Sequence, residues 1–151
     1  MRKRCGIRVR GARGNPEVRV AIISFATWLR RRYAFPIRVP VYLLPGQTVL
    51  TVHGERVSAS FFAPWNRRVE PYIRIATGDY PRMKRRWGRR AALLSHLISL
   101  AHELLHYQEW VATNTVSERG KAVAARGIAL RYEASHPRWQ RQGAARSLTV
   151  G

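Results

Sequence analysis

Residues 92–113, with the sequence ALLSHLISLAHELLHYQEWVAT, decide the fold class of this chain. Apolar residues recur in this stretch three and four positions apart, which is the spacing of one face of an α-helix. The segments before it alternate as strands do, at residues 37–44, 48–53, 56–62 and 72–77, with a turn at Pro45-Gly46. We therefore predict a long buried helix over about residues 87–113 that follows about four strands.

Two further helices are predicted, one on each side of this unit. Residues 15–17, Asn-Pro-Glu, provide an N-cap, a first-turn proline and an acidic first turn for a helix that ends at about Arg32. After Asn114 and Ser117, a second ligand-bearing helix is expected from about Glu118 to about residue 135, ended by Pro137. The order indicates an α+β fold with a mixed sheet of about four strands. Residues 15–137 form its one domain, between a basic N-terminal arm at 1–14 and a polar basic tail at 138–151.

The composition excludes several classes of protein. The 151 residues are 46% apolar, which suffices for one core, and no uncharged apolar run reaches the roughly 18 residues of a membrane span. The basic start is not followed by the apolar region of a signal peptide, so we expect a cytoplasmic protein. We also expect a monomer. Because Cys5 is the single cysteine, any metal site must use His and carboxylate ligands.

The net charge of +20 comes almost entirely from arginine. Arginines cluster at residues 30–32, at 82–90 around Trp87, and at 138–146 beside Trp139. Guanidinium groups near aromatic rings suit phosphate and base contacts, so nucleic acid is a candidate partner. The alternative is a generally basic, solvated surface.

A candidate metal site lies within the long helix. His102 and His106 are four residues apart and therefore share one helix face, and Glu103 flanks them. This H-E-x-x-H arrangement predicts two neutral imidazole ligands to zinc, with Glu103 as the base that takes a proton from a water molecule. The alternative is a pair of hydrogen-bonded core histidines beside a surface glutamate.

A third ligand is required, and the spacing favours Glu118. Glu109 lies about 10 Å from His102 along the same helix, too far for it to share an ion with both histidines. An antiparallel second helix would return Glu118 alongside His106, whereas Glu133 would lie about 22 Å beyond the turn. Glu133 stays the alternative ligand. Glu118 could also be an ordinary acidic first-turn residue behind an N-cap Ser117.

The motif HELLHY at residues 102–107, followed by SERGKAVAA at 117–125, resembles the gluzincin clan of zinc peptidases in minimal form. That group includes the minigluzincins, the SprT-like domains and the phage-repressor-regulating peptidases. The resemblance covers about residues 16–136. It implies a zincin-like fold, a zinc ion and endopeptidase chemistry. In that clan the ligand Glu is followed four residues later by a small or acidic residue, which fits Glu118 and Ala122 rather than Glu133 and Pro137.

The resemblance also assigns roles to other residues. The strand before the long helix is expected to be an edge along which an extended peptide substrate pairs. A His or Tyr often donates a hydrogen bond to the transition state in such enzymes. The edge residues are Tyr72, Ile73, Arg74, Ile75 and Ala76, and the donor candidates are His136, Tyr107 and Tyr132.

These observations lead to one expected function and two rivals. We expect a zinc-dependent endopeptidase that acts on a peptide or protein. One rival is a basic, nucleic-acid-associated protein with a zincin fold that acts on DNA-bound proteins or lacks proteolytic activity. The other is the toxin or antitoxin partner of a mobile element.

Overall fold

The computed structural model describes residues 5–136 and shows a mixed α+β protein. The predicted polar tail at 138–151, with its arginine cluster, lies outside the described residues. The elements along the chain are β1 (Ile7–Arg10), α1 (Pro16–Arg32), β2 (Val39–Leu44), β3 (Val49–Leu50), β4 (Arg56–Val57), β5 (Ala59–Phe62), β6 (Tyr72–Ala76), α2 (Tyr80–Trp87), α3 (Arg89–Thr113) and α4 (Lys121–Ala134).

The main sheet is mixed, as expected, and has four strands in the order β1, β2, β6, β5. Strand β2 runs parallel to β1 and to β6, whereas β5 runs antiparallel to β6. Strands β3 and β4 form a separate antiparallel hairpin. Strand β1 was not predicted; it belongs to the segment that we interpreted as a basic arm, and it adds one edge to the sheet.

Strand β6 lies inside the sheet. Its Ile73 faces Val41 of β2 on one side and Phe61 of β5 on the other. The expectation that Tyr72–Ala76 offers an open edge to a peptide is therefore wrong, because neighbours on both sides already pair with its backbone. Within residues 5–136, the outer strands of this sheet are β1 and β5.

Helix α1 begins where the sequence predicts. The Asn15 side chain accepts hydrogen bonds from the backbone N–H groups of Glu17, at 3.0 Å, and Val18, at 3.3 Å. These bonds satisfy two of the donors that a helix start leaves unpaired. Ile22 and Phe25 on its inner face are fully buried, so packing offsets the low helix propensity of the β-branched residues.

The predicted long helix over about residues 87–113 is confirmed as α3, which begins two residues later, at Arg89. Helix α2 was not expected; it ends at Gly88, whose φ of 90° lies in the left-handed region that glycine adopts without strain. Helix α3 follows and continues to Asn114, which caps it at a φ of 56°. Because Leu97, Leu100 and Leu104 are all fully buried, α3 is the central helix of the core.

Helix α3 packs against all three other helices and against strands β5 and β6. This packing fixes the orientation of its buried side chains, which include His106 and Glu103. None of the helices within residues 5–136 is both long enough and apolar enough to cross a membrane.

Candidate metal centre

The two histidines of the H-E-x-x-H motif lie one turn apart on α3. Their ring centroids are 4.8 Å apart, and the rings meet at 73°. The side chain of His106 is 5% exposed and that of His102 is 24% exposed. One imidazole therefore lies in the core and the other at its rim.

Glu118 joins the two rings. Its Oε2 lies 3.0 Å from Nε2 of His102, and its Oε1 lies 3.0 Å from Nε2 of His106. The ligand atoms of the three residues all lie within 4.8 Å of one another. Donors that share a tetrahedral zinc at 2.0–2.2 Å are roughly 3.4 Å apart, so small side-chain rotations would bring these three to one ion.

Glu118 belongs to a loop and not to the second ligand helix. The predicted start of that helix at residue 118 is wrong by three residues, because α4 begins at Lys121, after Gly120 with a φ of 73°. Ser117 is accordingly not an N-cap. The Glu118 side chain is 76% exposed, which leaves it accessible from solvent.

His106 is held in its neutral form. Burial lowers the pKa of this imidazole, and the Glu118 charge opposes that shift only in part. A neutral ring is the form that binds a metal ion. Its Nδ1 is buried and has no hydrogen-bond partner among the described residues, although a metal-bound histidine usually donates from its second nitrogen.

Glu103 lies on α3 between the two histidines and is only 7% exposed. Burial, and to a smaller extent the nearby charge of Glu118, together raise the pKa of its carboxyl from 4.5 to about 7. No cation among the described residues contributes to this shift. The chain therefore keeps a carboxyl group of near-neutral pKa directly beside a potential metal ligand, which is the pattern of a proton-transfer group.

The structure does not bring Glu133 to the histidines. Its carboxylate is 4% exposed and forms two hydrogen bonds to Arg90, one of them 2.9 Å long. This ion pair joins α4 to the start of α3, at the far end of α4 from Glu118. The alternative third ligand is thus engaged elsewhere.

Glu109 lies one turn beyond His106 and contacts the Glu118 loop. Its carboxylate accepts hydrogen bonds from Ser117 and from the Lys121 ammonium. The Lys121 contact lowers the pKa of Glu109. Sequence reasoning left Glu109 outside the ligand set and had no signal for these contacts, because they depend on the path of the loop.

The candidate transition-state donors point to other partners. The Tyr107 hydroxyl donates to the backbone carbonyl of Ile37, and the Tyr132 hydroxyl donates to Ser24 at 2.7 Å. Nδ1 of His136 lies 2.8 Å from a backbone carbonyl near the end of α4. None of these contacts leads to His102, His106 or Glu118.

A cleft of about 310 Å³ lies beside the edge strand β5. Phe61 and Phe62 of β5, Tyr72 and Arg74 of β6, and the turn of the β3–β4 hairpin line it. Val116, from the loop that carries Glu118, completes one wall. The cleft is therefore continuous with the segment that provides the third candidate ligand.

Three carboxylates compensate half of the six positive charges of the basic cluster at residues 82–90. Four of its cations pair with carboxylates, and they hold α1, α2, α3 and α4 together. The pairs are Arg82 with Asp79, Lys84 and Arg89 with Glu17, and Arg90 with Glu133.

A different arginine group has no carboxylate partner within residues 5–136. Arg31, Arg32 and Arg131 surround an open concavity with Trp28 and Tyr33, and no acidic residue lines it. The Arg32 guanidinium lies 4.8 Å from the Trp28 ring centroid. This concavity lies at the C-terminal ends of α1 and α4, and the described residues that line it carry positive charge only.

No protein-family model matches the sequence, and the searches of curated proteins and of solved structures found no similar protein. Any functional conclusion must therefore come from the residues of the site.

Proposed function

We propose that the chain is a zinc-dependent endopeptidase with a zincin-like fold. One observation carries the proposal: His102, His106 and Glu118 place three ligand atoms within 4.8 Å of one another, and the buried Glu103 follows His102 on α3. Two imidazoles and one carboxylate are a ligand set typical of catalytic zinc in peptidases. Such a set leaves a coordination position for water.

The three proposed ligands differ in how firmly the fold holds their side chains. His102 and His106 are held by α3, which packs against three helices and two strands. Glu118 comes from a loop, and its exposed side chain can rotate towards the ion. Zinc held by these side chains would act as a Lewis acid toward a water molecule and a substrate carbonyl.

Glu103 transfers the proton. Its carboxylate takes a proton from the attacking water and returns that proton to the amine nitrogen of the departing peptide. A pKa of about 7 in the metal-free protein suits both directions of transfer near neutral pH. The surrounding apolar residues of α3 keep bulk water away from this carboxyl group.

The strand order moves the proposed peptide-binding strand from β6 to β5. Since β6 is internal, an extended peptide would pair with the outer strand β5, which packs against α3. The cleft beside β5 would then receive a side chain of that peptide. Its Phe62 and Tyr72 rings, stacked with centroids 4.8 Å apart, favour an apolar side chain.

The test compares Glu103→Gln with the wild type on an unfolded, carboxymethylated protein. The variant should bind zinc normally and cleave at least about 100-fold more slowly, because it lacks the proton-transfer group. Glu70→Gln removes a carboxylate that pairs with Arg38 and belongs neither to the ligand set nor to the lining of the cleft, so this variant should cleave at the wild-type rate. A zinc-loaded Glu103→Gln protein with full activity would refute the proposal.

Association with nucleic acid is a second candidate function, favoured by the concavity of Arg31, Arg32 and Arg131. Replacing all three by Ala should weaken binding of a DNA duplex and reduce the slope of log K against log salt by about 2–3. Loss of equal size from a control triple at Arg19, Arg56 and Arg126, which are exposed elsewhere, would show a diffuse basic surface instead.

A further inference from the structure

We propose that Glu109 is a positioning residue that holds Glu118 at the two imidazoles by fixing the loop at residues 114–120. This inference rests on the proposed zinc site. It adds to that site a carboxylate that binds no metal itself.

The contacts of Glu109 fall on both sides of Glu118. Its Oε2 accepts a 3.1 Å hydrogen bond from Oγ of Ser117, the residue before Glu118, and pairs with Nζ of Lys121, three residues after it. Its Oε1 accepts a 3.4 Å hydrogen bond from Oγ1 of Thr115. We call Glu109, Ser117 and Lys121 the loop clamp.

The loop clamp is closed and shielded. Nζ of Lys121 also donates to Oγ of Ser117 at 3.2 Å, so each of the three side chains contacts the other two. The Lys121 side chain is 11% exposed and that of Glu109 is 22% exposed. A charged pair that is largely removed from water holds its geometry more firmly than a surface pair.

Glu118 depends on this support because little else holds it. Its side chain is 76% exposed, and its side-chain contacts among the described residues are the two histidines. Its backbone carbonyl accepts one hydrogen bond, of 3.3 Å, from the N–H of Lys121. Ordering a free loop and a long side chain at the moment of metal binding would cost affinity, and the clamp removes part of that cost beforehand.

Helix α3 thus contributes both ligands and a positioning residue to the site. Within two turns it carries both imidazoles and the residue that fixes the third ligand. Supporting residues of this kind typically change metal affinity by about 10–100-fold when they are replaced. Glu109→Gln should therefore weaken zinc binding by about 10–100-fold.

The matched control is Glu133→Gln. Glu133 pairs with Arg90 and joins the same two helices, α3 and α4, but at the end far from Glu118. If the loop clamp only stabilised the packing of α4, both variants would lower stability and neither would change zinc affinity. We expect Glu109→Gln to change both quantities and Glu133→Gln to change stability alone.

The experiment measures zinc dissociation constants by competition with a chromophoric chelator, together with urea unfolding of each metal-free variant. Ser117→Ala is the milder variant, and loss of its one hydrogen bond should weaken zinc binding about fivefold. In the Glu118→Ala background, Glu109→Gln should have no further effect on zinc affinity, because its action passes through Glu118.

Each result has one meaning. Unchanged zinc affinity in Glu109→Gln and Ser117→Ala would overturn the inference, as would an equal loss from Glu109→Gln with and without Glu118. A wild-type protein that binds no zinc would instead refute the proposed function, and the inference with it. The cobalt-substituted protein gives a second readout, since loss of a ligand changes the intensity of its visible absorption.

Discussion

Replacing Glu103 by Gln should stabilise the metal-free protein above neutral pH. The folded chain holds this carboxyl at a pKa of about 7, compared with an ordinary value of 4.5, because burial disfavours its charge. Between those two values the folded state binds more protons than the unfolded state. The free energy of unfolding therefore falls as the pH rises through this window.

The magnitude follows from the two pKa values. Their difference, about 7 minus 4.5, corresponds to about 3 kcal/mol at 1.36 kcal/mol per unit. The free energy of unfolding of the wild type should fall by this amount as the pH rises from 4.5, and the fall should be complete above the pKa of Glu103 in the folded state. Glu103→Gln has no charge to bury. Its free energy of unfolding should therefore exceed that of the wild type by about 3 kcal/mol at pH 8 and be similar to it at pH 4.

Urea unfolding with a chelator present, at intervals from pH 4 to pH 9, measures the difference directly. The control is Glu55→Gln, an exposed carboxylate on the β3–β4 hairpin, which should shift stability by less than about 0.5 kcal/mol at every pH. If the difference between wild type and Glu103→Gln stayed constant with pH, Glu103 would not be a buried, charge-disfavoured group. The proton-transfer role would then lose its physical basis.

Three further outcomes are expected. A hydrogen bond from Lys84 is the main cause that lowers the pKa of Glu17 to about 2. The stabilisation by the Glu17 carboxylate is therefore present above pH 4.5 and lost as the pH falls towards 2. After a discount for the 38% exposure of this side chain, Glu17→Gln should cost about 1–2 kcal/mol at pH 7 and almost nothing at pH 2. Arg90→Ala should cost about 1–3 kcal/mol in urea unfolding, because it leaves the buried Glu133 carboxylate without its hydrogen bonds from the half-exposed Arg90. Tyr107→Phe should lower stability by about 1 kcal/mol but keep the wild-type cleavage rate, because the Tyr107 hydroxyl donates to a backbone carbonyl. A large loss of rate would instead show that Tyr107 takes part in the reaction.

Local signals in the sequence were sufficient for the parts of the fold that depend on local physics. The Asn15 cap and the first-turn proline predicted the start of α1, and helical periodicity predicted the buried face of α3. Strand β1, with the sequence IRVR, was missed because four residues with two arginines do not distinguish a strand from a basic arm. Helix α2 was missed for a similar reason, since it is short and mostly basic.

Non-local pairing set the limit of prediction. The order of strands decides which one is an edge, and no pattern within β6 reveals that β5 returns beside it. For the candidate site, reach along a returning chain selected Glu118 over Glu133, and the structure places Glu118 beside the histidines. It does so from a loop, however, because Gly120 delays the start of α4. Such a loop must be held by contacts that spacing alone does not show.

Cleavage of an unfolded protein during a zinc titration of the metal-free chain tests the central claim most directly. The rate should rise in proportion to added zinc and reach its plateau at about one ion per chain, because His102, His106 and Glu118 make one site. A chelator should return the rate to zero. Cleavage that ignores both zinc and chelator, or a protein that binds zinc fully and cleaves nothing, would contradict the account.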